Sequence, residues 1–207
     1  MENSHSVKNV KDIKKRFDGY LPIVIDIETS GVDYLKNAIL EIAAVRVDYN
    51  DAGLLIPVGD FACHVTPFEG ARLDEKALEI TGIDPFHPFR FDISEQDALT
   101  QLFQFVKKAL EQTECRRAVL VGHNAHFDLS FILQAAKRSK FKETPFHAFT
   151  VFDTATLSGL AFVKTVLAKA LRAARLGFDK NEAHSAIYDA KQTADLFCHI
   201  INKFGKL

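Results

Sequence analysis

Ile23-Val24-Ile25-Asp26-Ile27-Glu28-Thr29-Ser30-Gly31 places two carboxylates at the end of an apolar run. The run has the β-branched composition of a strand and stops at Ser30-Gly31, a turn signal. Strand side chains alternate between faces. Ile23, Ile25 and Ile27 therefore share one face, and Val24, Asp26 and Glu28 the other. A lone acid there would read as a strand emerging into water. Two in register, straight after four apolar residues, are costly to bury and favour a cation between them. Hard carboxylate oxygens suit Mg²⁺ or Mn²⁺.

The chain around this stretch has 207 residues, enough for one domain with a sizeable core. Net charge is −1, which lowers the expectation of a globally basic duplex binder and leaves room for local patches. Two basic clusters stand out, Lys8 to Arg16 and Lys137 to Lys142, each readable as a solvated helix face. Cys63, Cys115 and Cys198 form no CxxC pair and read as ordinary reduced thiols. No apolar run approaches a bilayer span, and the polar N-terminus lacks a signal peptide's apolar core, so the cytoplasm is expected.

Residues 21–28, 40–49 and 60–66 read as successive strands. A short helix is expected over 74–81. A long amphipathic one follows over 94–111, with Ser94 and Asp97 as an acidic capping box. Then come a buried strand (117–122), a helix (127–139), a strand (149–153) and helices near 154–162, 165–175 and 183–203. The order predicts an α/β fold, a mixed five-stranded sheet flanked by helices. Residues 1–15 are expected as a mobile N-terminal segment and 16–207 as a single domain.

A metal site needs further acids, and two stretches offer them. In Gly122-His123-Asn124-Ala125-His126-Phe127-Asp128, Asp128 falls in the first turn of a helix, where it could equally complement the helix dipole. In Ala183-His184-Ser185-Ala186-Ile187-Tyr188-Asp189, His184 and Asp189 flank the start of the last long helix. Each piece alone is weak. The order Asp-x-Glu, then Asp, then His-x4-Asp is far more specific.

That order resembles the DEDDh group of 3′-to-5′ exonucleases, which have a ribonuclease H-like fold. The likeness runs from about Arg16 to Lys203. It takes in Pro145-Phe146-His147-Ala148-Phe149 and Phe152-Asp153-Thr154-Ala155, which resemble members that trim stable RNAs. The resemblance implies that Asp26, Glu28, Asp128 and Asp189 bind two Mg²⁺ per subunit, with Mn²⁺ able to substitute, and that His184 is the general base. It implies trimming of the 3′ ends of tRNA and ribosomal-RNA precursors, and degradation of single-stranded DNA. Phe127 and Phe149 match rings that stack on terminal bases. Arg16, Arg117 and Lys142 match a basic surface that one subunit of a homodimer offers to RNA held by the other.

The sequence departs from the family pattern in two places. Val32 and Ile80 stand where stacking aromatics are expected, and Lys76 where a glutamate is. Asp18 and Glu111 stand where cations are expected. Weaker selectivity among terminal bases and a thinner basic surface follow. Proofreading and oligoribonuclease-type members of the same group are rival readings, as is a non-catalytic RNA-binding module. A module has no use for repelling carboxylates. A dehydrogenase is excluded, since no Gly-x-Gly-x-x-Gly follows the first strand.

Overall fold

The computed structural model describes residues 12–179, 182 and 185–204. Five strands form one mixed sheet: β1 (Tyr20–Thr29), β2 (Ile39–Tyr49), β3 (Leu55–His64), β4 (Arg117–Gly122) and β5 (Phe146–Asp153). Their order is β3-β2-β1-β4-β5. β2 runs antiparallel to both β1 and β3, β4 pairs with β1 in parallel, and β5 with β4 in parallel. This is the mixed α/β sheet expected. Central β1 is buried on both faces along most of its length, which is why it reads as a nearly continuous apolar run.

Helices α1 (Ile13–Arg16), α2 (Glu75–Thr81), α3 (Glu95–Thr113), α4 (His126–Arg138), α5 (Thr154–Phe162), α6 (Leu167–Ala173) and α7 (Ala186–Phe204) complete the domain. α3 starts with Ser94 as its N-cap, and Asp97 answers the Ser94 hydroxyl instead of its backbone N–H. Ser94 Oγ accepts from the Asp97 N–H at 3.1 Å and donates to Asp97 Oδ2 at 2.7 Å. α7 lies across the sheet through Ala190, Ala194 and Phe197, all fully buried. The small alanines let the helix approach β1 closely. The three cysteines are free thiols.

Two strands are longer than the sequence suggests. β3 begins at Leu55 rather than residue 60, because Pro57 and Gly59, which read as breakers, sit in a sheet-edge strand. β5 begins at Phe146 rather than 149, with its register shifted between Ala118 and Leu120 of its partner. The second basic cluster is not a plain solvated face. Arg138 pairs with buried Glu95 at 2.6 Å and stacks over Phe68, tying α4 to the start of α3. Among the described residues no single helix is long and apolar enough to cross a membrane.

Candidate active site

β1 carries Asp26 and Glu28 to its carboxyl-terminal end, where β4 ends and α4 begins. Glu28 is buried and Asp26 half-buried, on the face the alternation predicts. α7 brings Asp189 against them from its first turn, where the Asp189 N–H closes the turn on the Ser185 carbonyl at 3.0 Å. One carboxylate oxygen from each of Asp26, Glu28 and Asp189 lies within 4.8 Å of the others.

Asp128 completes the group from the other side. It is 5% exposed in the first turn of α4, and its Oδ1 accepts the N–H of Ile27, between the two β1 acids, at 3.2 Å. The turn before it needs Gly122. A Cβ there would stand 3.0 Å from Ala125 Cα and 3.2 Å from Asp128 Oδ2. Asn124, at φ 70°, takes the left-handed conformation that asparagine tolerates, and its N–H donates to Asp153 Oδ1 at 2.9 Å.

The electrostatics are those of a site short of positive charge. Burial, then the charges of Asp128, Asp189, Glu28 and Glu41, push the Asp26 carboxyl well above its ordinary range. Burial and the charges of Asp189 and Glu41 raise Glu28 to about 8. Asp128 is raised to about 8, by burial first, although backbone N–H groups of Asp128 and Ile27 pull it down. Asp26, Glu28 and Asp128 form no ion pair with a lysine or arginine among the described residues. A fold keeps such a cluster only if something else neutralises it. All-oxygen donors at this spacing are compatible with a divalent metal.

Glu41 is part of the site that the sequence reading passed over. It faces Glu28 across the β1–β2 ladder. Its Oε2 accepts the Ala186 N–H, which begins α7, at 3.2 Å, and its Oε1 lies 3.1 Å from His64 Nδ1. Glu41 therefore satisfies one of the open N–H groups of the helix that carries Asp189. His123 is occupied structurally, with Nδ1 2.9 Å from Thr154 Oγ1 and Nε2 2.8 Å from the Thr165 carbonyl. His184, expected as the base, lies outside the described residues.

The chain matches the model of a family described as exonuclease over residues 23–197. Ribonuclease T of Vibrio campbellii is 52% identical over 196 residues, spanning 94% of this chain and 92% of the relative. Ribonuclease T of Yersinia enterocolitica is 52% identical over 192 residues, spanning 93% and 89%. The chain belongs to the ribonuclease T family of exonucleases. It is thus a nuclease, a hydrolase, with the DEDDh-type fold expected. Solved structures agree on that fold. Escherichia coli exonuclease I in complex with a dA16 oligonucleotide superposes with a TM-score of 0.69 at 16% identity, over 90% of this chain. The present chain spans only 42% of that longer protein. A full-length 3′-exonuclease gives 0.67 at 18% identity, over 88% of this chain and 61% of that one.

The expected substrate-binding residues of this family member are dispersed. Phe127 is half-buried beside Asp128, its ring centroid 4.9 Å from that of Phe131. Phe149 is 75% exposed on edge strand β5, separated from β1 by β4. Its ring meets His147 edge-on at 4.6 Å. Arg16 packs over Phe17 on α1, and Lys142 is exposed in the loop before β5. Arg117 spends its guanidinium partly on the Phe146 and Thr144 carbonyls. Arg117 pairs with Tyr20, six residues before Asp26 on β1. At about 3.3 Å per residue that is roughly 20 Å from the acids. The cations and the acid cluster lie at opposite ends of the same strands.

Proposed function

We propose that this protein is a 3′-to-5′ exonuclease that trims the 3′ ends of tRNA and ribosomal-RNA precursors and degrades single-stranded DNA, releasing nucleoside 5′-monophosphates. The observation that carries the reading is the convergence of four carboxylates, with Asp26, Glu28 and Asp189 within 4.8 Å of one another and buried Asp128 held beside them by the Ile27 N–H. These four would hold two Mg²⁺, or Mn²⁺ in its place. Such ions, when bound, stabilise the attacking and leaving oxygens of an in-line phosphoryl displacement. The residues themselves do the rest. Asp128, fixed by the Ile27 N–H, and Glu28, fixed in the sheet, present oxygens that need no rearrangement. His184, two residues before α7, takes the proton of the attacking water, and its ordinary pKa of about 6.5 suits that task near neutrality. Phe127, adjacent in the chain to Asp128, gives a terminal base a ring to stack on.

A homodimer fits the placement of the cations. Arg16, Arg117 and Lys142 lie too far from their own acid cluster to steady the phosphates being cleaved there. A second copy can bring its basic end to the first copy's site. The terminal-base pocket has an aliphatic wall instead of an aromatic one. Val32 is 82% exposed and Ile80 56% exposed. Their two segments are tied together by the Asn37 amide, which donates to the Ser30 and Arg72 carbonyls and to Asp74 Oδ2.

The test is incubation with single-stranded RNA labelled at either end, with Mg²⁺ and with EDTA. Labelled mononucleotide released from the 3′ end only when metal is present is the expected result. Binding without metal-dependent trimming would move the weight to an RNA-binding module.

A further inference from the structure

Beyond the acid cluster the most unusual surface is the segment between α2 and α3. Phe86, Phe89 and Phe91 lie within six residues of one another and are 77%, 74% and 83% exposed. Isolated exposed rings are ordinary, but three together on one short segment mark a contact surface. The segment is built, not slack. Arg90, between two of the rings, is turned inward and 9% exposed. Its guanidinium donates to the carbonyls of Leu40 and Val65 and pairs with Asp92 at 3.4 Å. Ile93 then adds a short parallel bridge to Val65, with the Thr66 N–H on the Ile93 carbonyl at 2.9 Å. Phe91 sits at φ 52°, a strained value for an aromatic residue that the anchored neighbours hold in place.

Phe89 and Phe91 border a groove of about 460 Å³ whose far wall includes Glu41 and His64. Those two residues also line the cleft at the start of α7, together with Ser185 and Ala186. Groove and cleft thus share the Glu41–His64 wall, and Glu41 stands opposite Glu28 of the acid cluster. We infer that Phe89 and Phe91, with Phe86 beside them, form a second stacking platform for single-stranded nucleic acid, taking bases 5′ to the one being removed. The inference rests on the exonuclease reading. It favours bases over phosphates because Glu41 and Asp84 in the groove repel a polyanion and Arg90 is engaged by the Leu40 and Val65 carbonyls and Asp92, whereas ring faces accept any base. Sequence-tolerant grip is what a nuclease needs on a strand that shortens past it. The inward Arg90 makes the grip preorganised, since no loop has to order when the strand arrives.

The experiment is binding of fluorescent single-stranded oligomers in EDTA to the parent protein and to the double variant Phe89→Ala/Phe91→Ala. Both side chains are mostly in solvent, so the fold survives their loss. One oligomer is a trinucleotide, the other about twelve nucleotides long, the span of an extended single-strand site. The double variant is expected to lose about tenfold or more in affinity for the long oligomer, the worth of at least one stacked base. The trinucleotide changes little, and Phe89→Trp/Phe91→Trp keeps the length preference. Equal affinities of parent and double variant for the long oligomer would overturn the inference, and so would an equal loss for both lengths. A double variant that changes oligomeric state would assign the ridge to contact between copies instead. Mg²⁺-dependent trimming of the same oligomers by the parent is scored separately, so failure of the exonuclease reading is told apart from failure of the platform.

Discussion

Replacing Glu28 by Gln should make the metal-free protein more stable while it disables the site. In the folded protein the Glu28 carboxyl titrates near 8 instead of near 4.5. A carboxyl whose pKa rises on folding holds its proton more tightly in the folded state. Stability without metal is therefore unpenalised below about pH 4.5 and falls as pH climbs toward 8. At pH 7.5 the displacement is about three units at 1.36 kcal/mol each, roughly 4 kcal/mol if nothing relaxes. Water entry and shifts among the neighbouring acids cut that to about 1–2 kcal/mol. Gln keeps the shape and removes the charge. In a protein of this size each kcal/mol moves the midpoint by about 2–4 °C, so the variant should melt about 2–8 °C higher than the parent in EDTA at pH 7.5. The gap should nearly close at pH 4.5, where Glu28 is neutral in the folded state and half-protonated in the unfolded one. With Mg²⁺ it should shrink or reverse, because the ion stabilises the parent more. A Glu28→Gln protein that melts lower than the parent in EDTA at pH 7.5 would refute the picture of an uncompensated acid cluster. So would a gain that persists unchanged at pH 4.5.

Asp26→Asn and Asp189→Asn should abolish release of mononucleotides while circular dichroism shows an unchanged fold; normal turnover by either purified variant would overturn the assignment. Glu41→Ala should lower kcat by about tenfold with little change in KM, by loosening the start of α7. Glu41→Gln should restore most of it, because its amide oxygen still accepts the Ala186 N–H, and equal defects in both would count against a positioning role. Oligomers ending in A and in C should decay at rates within a few fold, since Val32 and Ile80 offer no aromatic faces; a strong block at C in a time course would contradict this.

The opening stretch was legible because a strand's period of two is fixed by the backbone. Once Ile23, Ile25 and Ile27 share a face, Asp26 and Glu28 must share the other. The extra length of β3 was not, since Pro57 and Gly59 act as breakers unless the strand is known to lie at an edge. Asp128 and Asp189 could be named only through their place in a motif. Nothing local to either residue says that α4 and α7 end up against the same tip of β1.

Glu41 shows where reading along the chain stops. Inside Leu40-Glu41-Ile42-Ala43-Ala44 it is one acid in an apolar strand, a pattern that suggests a side chain escaping to water. Its partners are His64, at the end of a neighbouring strand, and the Ala186 N–H, 145 residues away in the chain. No period or spacing connects them. Yet this contact makes a helix start from the sheet that holds the other acids, so α7 cannot slide along β1 and β2 without breaking it. Asp189, one turn in from that start, inherits its position from Glu41. The acid cluster is therefore held as a unit across β1, β2 and α7, with α4 added through the Ile27 N–H. A carboxylate pair on one strand reveals the need for such a unit; only the fold reveals which residues keep it together.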